Sequence, residues 1–378
     1  MKKSAFIFSS KFGDFKLPED FPYDIDRSLK IADFCKQHGL LGESWMKIIE
    51  ARKATDEEIL IFHTKRFLDA IKKISEGYFE RDFLDMGFGG PDNPVFRFMY
   101  DYVCLAAGAS LTAAECILED NYKLAFNPSG GLHHAGKEKA EGFCYVNDVV
   151  IAIEWMRRKR PGIRICYLDL DAHHPNGVQD AFYNLQDVLC ISMHQTGKTI
   201  YPYGGFENEI GDGEGRGFNI NVPLEPMSDD EIFMKGFDEV VIPAITKFKP
   251  DILVGQLGVD MLHSDPLTNL NVTSHSYAYA ASSLVSFGYP ILALGGGGYR
   301  RETYIQTNAM IWATLNGLDE DSSIRTVIGG VYLGDPGIQT VATLKEPRRY
   351  TMGEEKKNAM DSIERTIQYL KKNIPLLQ

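Results

Sequence analysis

The sequence predicts an α/β protein built on a single open, mainly parallel sheet with helices on both faces. Three observations carry that expectation. Short apolar runs rich in Ile, Leu and Val alternate with helix-like segments, as strands buried on both faces do. At 378 residues the chain exceeds the usual single-core size but remains within reach of one large α/β domain. Four of the apolar runs end in glycine or polar clusters, and open parallel sheets hold ligands at the carboxyl ends of their strands. No internal repeat, low-complexity segment or long linker interrupts the pattern, so residues 1–378 read as one domain.

Six runs read as strands. "SAFIFS" (4–9) follows two lysines, but its apolar run of four residues suits a first strand rather than a signal peptide. "YKLAFNP" (122–128), "IRICYLDLD" (163–171), "VLCISMH" (188–194), "DILVGQLG" (251–258) and "YPILALGGGG" (289–298) follow. Helix-like segments cover about 43–50, 56–76, 95–120, 145–159, 229–247, 273–287 and 302–316. Thr55 before "DEE" and Ser228 before "DDE" have the form of helix N-caps. A last helix, about 354–372, puts Met360, Ile363, Ile367 and Leu370 near one face, so the segment 324–378 should pack on the body. The acidic "DEDSS" at 319–323 reads as a flexible connector.

Composition narrows the function classes. A hydrophobic share of 44% and a charged share of 24% describe an ordinary soluble globular protein. No apolar run reaches the ~20 residues that span a bilayer, so no membrane role is expected. The net charge of -12 argues against direct nucleic-acid binding and favours cationic partners. Cys35, Cys104, Cys116, Cys144, Cys166 and Cys190 contain no CxxC pair and several lie in apolar stretches. Buried thiols in a reducing, cytoplasmic compartment are the expectation. Nothing in the sequence sets an oligomeric state.

The chemistry gathers where strands end. Residues two apart on an extended chain face the same way, so Asp169, Asp171 and His173 in "YLDLDAHHPNG" can point to one side. An Asp-x-His pair offers a hard oxygen and an imidazole nitrogen. A third ligand from another strand end, with Asp260 of "QLGVD" the natural choice, completes a catalytic zinc site with an open position. The bland alternative is that these aspartates cap the next helix or bind a lysine. His133 and His134 follow glycines after another buried run, where two imidazoles suit a general base and an electrostatic partner. Asp169 and Asn176 can hold their second ring nitrogens. His174 and His194 read as core or supporting residues, and His38, His63, His263 and His275 as structural or exposed. His63 lies in the helical run "EEILIFHTKRFL". The "GGGG" before Tyr299 marks close backbone approach, and Tyr299 can aim its phenol at an oxyanion.

With these residues in hand, the chain resembles the zinc-dependent histone deacetylase family, including its bacterial acetoin-utilization and deacetylase-like members. The resemblance spans residues 4–315 and rests on "GGLHHAGKEKAEGFCYVND", "YLDLDAHHPNGVQDAFY", "QLGVD" with "DPL", and "LGGGGY", in that order. It implies the arginase-deacetylase fold, a central parallel sheet of about eight strands. It implies Zn2+ on Asp171, His173 and Asp260, although this ligand set also tolerates Fe2+. A structural K+ is implied near Asp169, Ser192 and Met193, with backbone contributions from Asp171 and His173. Catalysis falls to His133, His134 and Tyr299. Phe143 after Gly142, with Tyr201 opposite, would wall a tunnel for an acyl-lysine side chain of a protein or peptide. Leu267 would sit at its rim, and Asp92 would hold the substrate backbone.

One position departs from many members of the family: they carry aspartate where this chain has Asn176. An amide still accepts from the ring but carries no charge to stabilise an imidazolium, so the proton affinity of His134 should be lower. Three other functions compete. An acetylpolyamine deacetylase on the same fold would draw acidic groups from Asp92 or from "KFGDFKLPEDFP" (11–22). A binuclear manganese ureohydrolase would need more bridging aspartates around the DxH loop. A silent binding module would have broken ligands, and here every matched position is intact.

Overall fold

The computed structural model describes residues 3–18, 21–318 and 344–378. Its centre is an eight-stranded sheet in which every pairing is parallel. The strands are β1 (Ser4–Phe8), β2 (Met46–Glu50), β3 (Leu124–Asn127), β4 (Ile165–Asp169), β5 (Val188–Gln195), β6 (Asn219–Leu224), β7 (Ile252–Gln256) and β8 (Ile291–Leu294). They run in the order β2-β1-β3-β8-β7-β4-β5-β6. The fold class and strand number are those expected from the sequence and the resemblance.

Alternation along the strands feeds two cores, one per face. Ile7, Ala125, Ile165, Tyr167, Val254 and Leu292 join one core with the helices Lys65–Ser75, Met99–Leu118 and Asp148–Lys159. Phe6, Phe126, Leu168, Ile191, Leu253 and Ala293 join the other, with the helices Arg27–Gln37, Ser274–Ser286, Arg301–Leu315 and Gly353–Asn373. Because side chains on a strand point to opposite faces by turns, a strand buried on both sides must be apolar throughout.

Several expectations are corrected. The segment 43–50 is not a helix: Met46–Glu50 pairs in parallel with β1 as the sheet's edge. Its Ile48 and Ile49 are β-branched, and a neighbouring strand supplies the backbone partners that a local pattern cannot reveal. The run 56–76 splits into Asp56–Ile59, capped by a Thr55–Glu58 capping box, and Lys65–Ser75, capped by Thr64. The cap at 229–247 is Asp229 rather than Ser228, whose hydroxyl donates back to the Glu225 carbonyl at 2.7 Å. Strand β6 and the helices Arg27–Gln37 and Asn176–Phe182 were not expected. Pro223 argues against a strand at "NINVPL", but β6 is an edge, where proline is tolerated. The helix Met99–Leu118 has the length and apolar character of a membrane span, yet it is 83% buried inside the fold. All six cysteines are buried and free. The C-terminal helix packs on the body through Ile363, Ile367 and Leu370, while Met360 is half-buried. The 319–323 stretch lies outside the described residues.

Candidate active site

Four neighbouring strands at the middle of the sheet, β3-β8-β7-β4, deliver the polar strand ends that the sequence marks. Their carboxyl ends share one rim. Just beyond β4, Asp171 and His173 meet Asp260 from the segment after β7, with one donor atom of each within 4.8 Å of the others. His173 Nδ1 lies 3.1 Å from Asp171 Oδ1 and 2.9 Å from Asp260 Oδ2. Backbone amides fix both carboxylates: Gly297 N–H donates to Asp171 Oδ2 at 2.7 Å and Ala172 N–H to Asp260 Oδ1 at 2.7 Å. The expected backbone approach of the glycine run has a specific cause here. A Cβ on Gly297 would sit 2.3 Å from Asp260 Oδ2 and 2.7 Å from Asp171 Oδ2.

Two buried carboxylates and one imidazole are expensive to hold without a compensating cation. Burial opposes protonation of His173, but Asp171 and Asp260 outweigh it and raise its pKa to about 10. A metal ion would take the place of that proton, and mixed oxygen and nitrogen donors suit zinc or iron. The donor set therefore fits the metal implied by the resemblance.

The paired histidines stand beside this triad on the loop after β3. His133 Nε2 and His134 Nε2 are 3.1 Å apart, and His133 Nε2 is 4.0 Å from Asp171 Oδ1. Their outer nitrogens find different partners. His133 Nδ1 faces Asp169 Oδ2 at 2.8 Å, and His134 Nδ1 faces Asn176 Oδ1 at 2.7 Å. Burial disfavours a proton on His133, yet Asp169 and Asp171 reverse that and its pKa is raised. Burial, with His133 and His173 nearby, pushes His134 well below the usual range. The two rings are thus pushed in opposite directions, His133 towards the protonated form and His134 away from it.

The loop has buried support that sequence reasoning left without a role. Asp148 accepts from the amides of Gly131 (3.1 Å) and Leu132 (2.7 Å). Asn147 Nδ2 donates to the carbonyls of Ala135 (2.9 Å) and His133 (3.3 Å). His63 accepts from Asn147 N–H at 3.0 Å through Nε2 and faces the Lys137 carbonyl through Nδ1 at 3.2 Å. It lies between two short helices rather than within one, and is 2% exposed. His174 and His194 are also buried, with rings 5.0 Å apart. Ser192 stands opposite Asp169 in the β4–β5 register, its hydroxyl 2.7 Å from His194 Nδ1, and Met193 is buried beside it.

Aromatic rings line the approach. Tyr299 lies edge-on to His173 at 6.3 Å and to Phe143 at 5.7 Å, and Tyr201 lies against His134 at 5.1 Å. Gly142 and Phe143 both have positive φ, 56° and 66°. A Cβ on Gly142 would meet His134 Cδ2 at 2.3 Å, so this turn needs glycine twice over. Leu267, the expected rim residue, is 39% exposed. Asp92 is exposed, and its charge bears on the Tyr201 phenol. Residues 13, 15–18 and 21–26 line an open pocket of ≈ 330 Å³ that reaches Tyr299.

Three further residues were not expected. Asp265 accepts from Leu267 N–H at 3.0 Å and Tyr299 N–H at 2.8 Å, tying the two backbone segments together. The buried guanidinium of Arg27 donates to the carbonyls of Gly296 and Gly298 and lies over the Tyr23 ring at 4.0 Å. Glu141 contacts both Asn176 and Tyr201. Asp265 opens the quoted "DPL", where the expected role falls to Leu267 alone; Arg27 stands in "DIDRSLK", which carries no local signal.

A parallel α/β sheet whose rim brings an Asp–His–Asp triad able to hold a metal beside two histidines is an arrangement suited to metal-dependent hydrolysis. The chain belongs to the histone deacetylase family: the histone deacetylase domain model matches residues 21–315. It is similar to the acetoin utilization protein AcuC of Bacillus subtilis (strain 168), with 31% identity over 331 residues, 86% of this chain and 85% of that protein. Histone deacetylase 8 of Xenopus tropicalis is 35% identical over 293 residues, 77% of each chain. The crystal structure of an HDAC homologue from Aquifex aeolicus matches with a TM-score of 0.82 and 31% identity, covering 97% of this chain and 100% of that one. An HDAC homologue complexed with SAHA matches with a TM-score of 0.82 and 30% identity.

Proposed function

We propose that the protein is a zinc-dependent hydrolase that removes acetyl or other acyl groups from lysine side chains of proteins or peptides. The observation that carries this reading is the placement of His133, His134 and Tyr299 around the Asp171–His173–Asp260 triad at the bottom of an aromatic approach. A zinc ion on the triad would supply Lewis acidity, polarising an amide carbonyl and lowering the pKa of water. Fe2+ would serve the same donors. A structural K+ near Asp169, Asp171, His173, Ser192 and Met193 belongs to the same proposal.

The chain's own groups divide the remaining work. His134, whose Nε2 lies on the triad side, takes a proton from the attacking water and returns it to the departing amine. His133, paired with Asp169, acts as the electrostatic partner for the negative charge that develops nearby. Tyr299 donates its phenol to the developing oxyanion. Burial, with Asp260 and Asp171, raises the pKa of that phenol well above its usual value, so it remains a donor at neutral pH. Phe143 and Tyr201 flank the substrate stem, Leu267 meets it at the rim, and Asp92 holds the substrate backbone.

A second reading, an acetylpolyamine deacetylase, draws support from Asp92 near Tyr201; the 11–22 loop meets the pocket beside Tyr299 through residues 13, 15–18 and 21–22, none of them acidic. Within that loop, Glu19 and Asp20 lie outside the described residues. We infer a cytoplasmic location from the thiol content. The test is kcat/KM of the zinc-loaded protein on an acetyl-lysine peptide against an acetylated polyamine. A clear peptide preference is expected, and a polyamine preference rejects the lysine assignment. Activity on neither rejects both readings.

A further inference from the structure

Behind His134 the hydrogen-bond chain continues past Asn176. Asn176 Nδ2 donates to Glu141 Oε1 at 3.2 Å, and the other carboxylate oxygen accepts from the Tyr201 hydroxyl at 3.0 Å and from Lys139 Nζ at 2.8 Å. Glu141 is itself held firmly. Its backbone exchanges hydrogen bonds with Cys144 at 3.1 and 2.9 Å, across the turn that needs Gly142. Its side chain is 18% exposed.

Donor and acceptor chemistry fixes the direction of this chain. An ionised carboxylate only accepts, so the amide nitrogen of Asn176 must face Glu141. The amide oxygen is then left for His134. An oxygen of that kind also only accepts, so His134 must carry its proton on Nδ1. A neutral imidazole protonated there has a bare Nε2, the atom that lies 3.1 Å from His133 Nε2 on the triad side. Asparagine alone would not enforce this. Its two ends are nearly equal in shape, and with the amide turned round it would favour the opposite tautomer.

We propose that Glu141 is a positioning residue for the general base: it orients the Asn176 amide and thereby keeps the His134 proton on Nδ1. It also returns to this hydrogen-bond chain the negative charge that Asn176 lacks, one residue further from the ring. The same carboxylate anchors the Tyr201 phenol, so one tunnel wall and the base share a support. This inference rests on His134 being the base of the deacetylase reading.

Two measurements test it. The first is the tautomer itself, read by 15N NMR of the histidine-labelled protein, which does not depend on turnover. His134 should be protonated at Nδ1 in the wild type and mixed between nitrogens in Glu141→Gln. A single unchanged tautomer in that variant overturns the proposal. The second is kinetic. Glu141→Gln should lower kcat about tenfold with KM within about twofold, the scale of one charge-assisted hydrogen bond. Asn176→Asp alone sets two carboxylates against each other and should also lower kcat. The double variant Glu141→Gln/Asn176→Asp restores an acceptor for His134 and a donor behind it, and should recover most of the wild-type kcat. A double variant no better than Glu141→Gln overturns the proposal, because a purely structural role predicts no reciprocal rescue. A wild type without deacetylase activity rejects the functional reading instead, and the NMR result still decides the role of Glu141.

Discussion

At the buried end of the site, Asp171, His173 and Asp260 are 2%, 8% and 0% exposed, and backbone amides fix both carboxylates. At the proposed mouth, Leu267 is 39% exposed, Asp92 lies in the open, and the proposed walls lie on loops at 141–143, 201 and 265–267. The buried end is built on strand ends of one sheet, where a small displacement would separate ligands that must converge. The mouth is built on loops, where side chains can change without disturbing the sheet. Removing a group from the buried end should therefore abolish chemistry, and altering the mouth should only redistribute substrates.

The largest effect should follow loss of a triad ligand. Asp260→Ala should lose the catalytic metal and with it measurable deacetylation. Asp260→Asn, which keeps the size and the acceptor for Ala172 N–H, guards against simple misfolding. Metal analysis of both variants checks this, and stoichiometric zinc with retained activity would reject the ligand assignment. Next comes the donor opposite the triad. Tyr299→Phe should lower turnover ~10²–10³-fold, the usual scale for one oxyanion donor. Near wild-type turnover would sink that role.

The support under the His pair should reveal itself in stability rather than rate. Burial lowers the pKa of His63 from 6.5 to about 4, against smaller opposing contributions from the carbonyls of Lys137 and Gly136. Its folded pKa lies below its unfolded value, so its contribution is complete above pH 6.5 and is lost as the pH falls towards 4. Between pH 7.5 and pH 5 this one group should remove about 2 kcal/mol of stability. His63→Gln keeps an acceptor for Asn147 N–H and a donor for the Lys137 carbonyl. It should flatten that part of the curve, measured by urea unfolding at the two pH values. Parallel curves for variant and wild type would reject His63 as the titrating group.

The two ends also differed in how far the sequence revealed them. The triad, the His pair and their partners Asp169 and Asn176 stand in short motifs directly after buried runs, so the strand ends were legible and the sheet brings them together. The supports were not legible, because their partners are distant in sequence. Arg27 reaches carbonyls at Gly296 and Gly298, some 270 positions away, through a fold that no local pattern encodes. Strand β2 read as a helix because its partner is β1, and β6 was hidden by Pro223. Glu141 stood inside a quoted motif, but its meaning depends on a loop 60 residues away that brings Tyr201 to it.

The smallest effect should come from the rim, and it is the one that separates the two substrate readings. Leu267 is apolar and partly exposed, so it offers a lysine stem contact but offers no partner to a distant ammonium. Leu267→Glu places a carboxylate at that point without touching the triad. An exposed ion pair is worth about 0–1 kcal/mol, so preference for an acetylated polyamine over an acetyl-lysine peptide should rise by up to about fivefold. The gain should appear in kcat/KM, leave kcat on the peptide nearly unchanged, and shrink as salt screens the new charge. A ratio that does not move at low salt would mean that substrates pass elsewhere, and the pocket lined by residues 13, 15–18 and 21–26 beside Tyr299 would become the place to look.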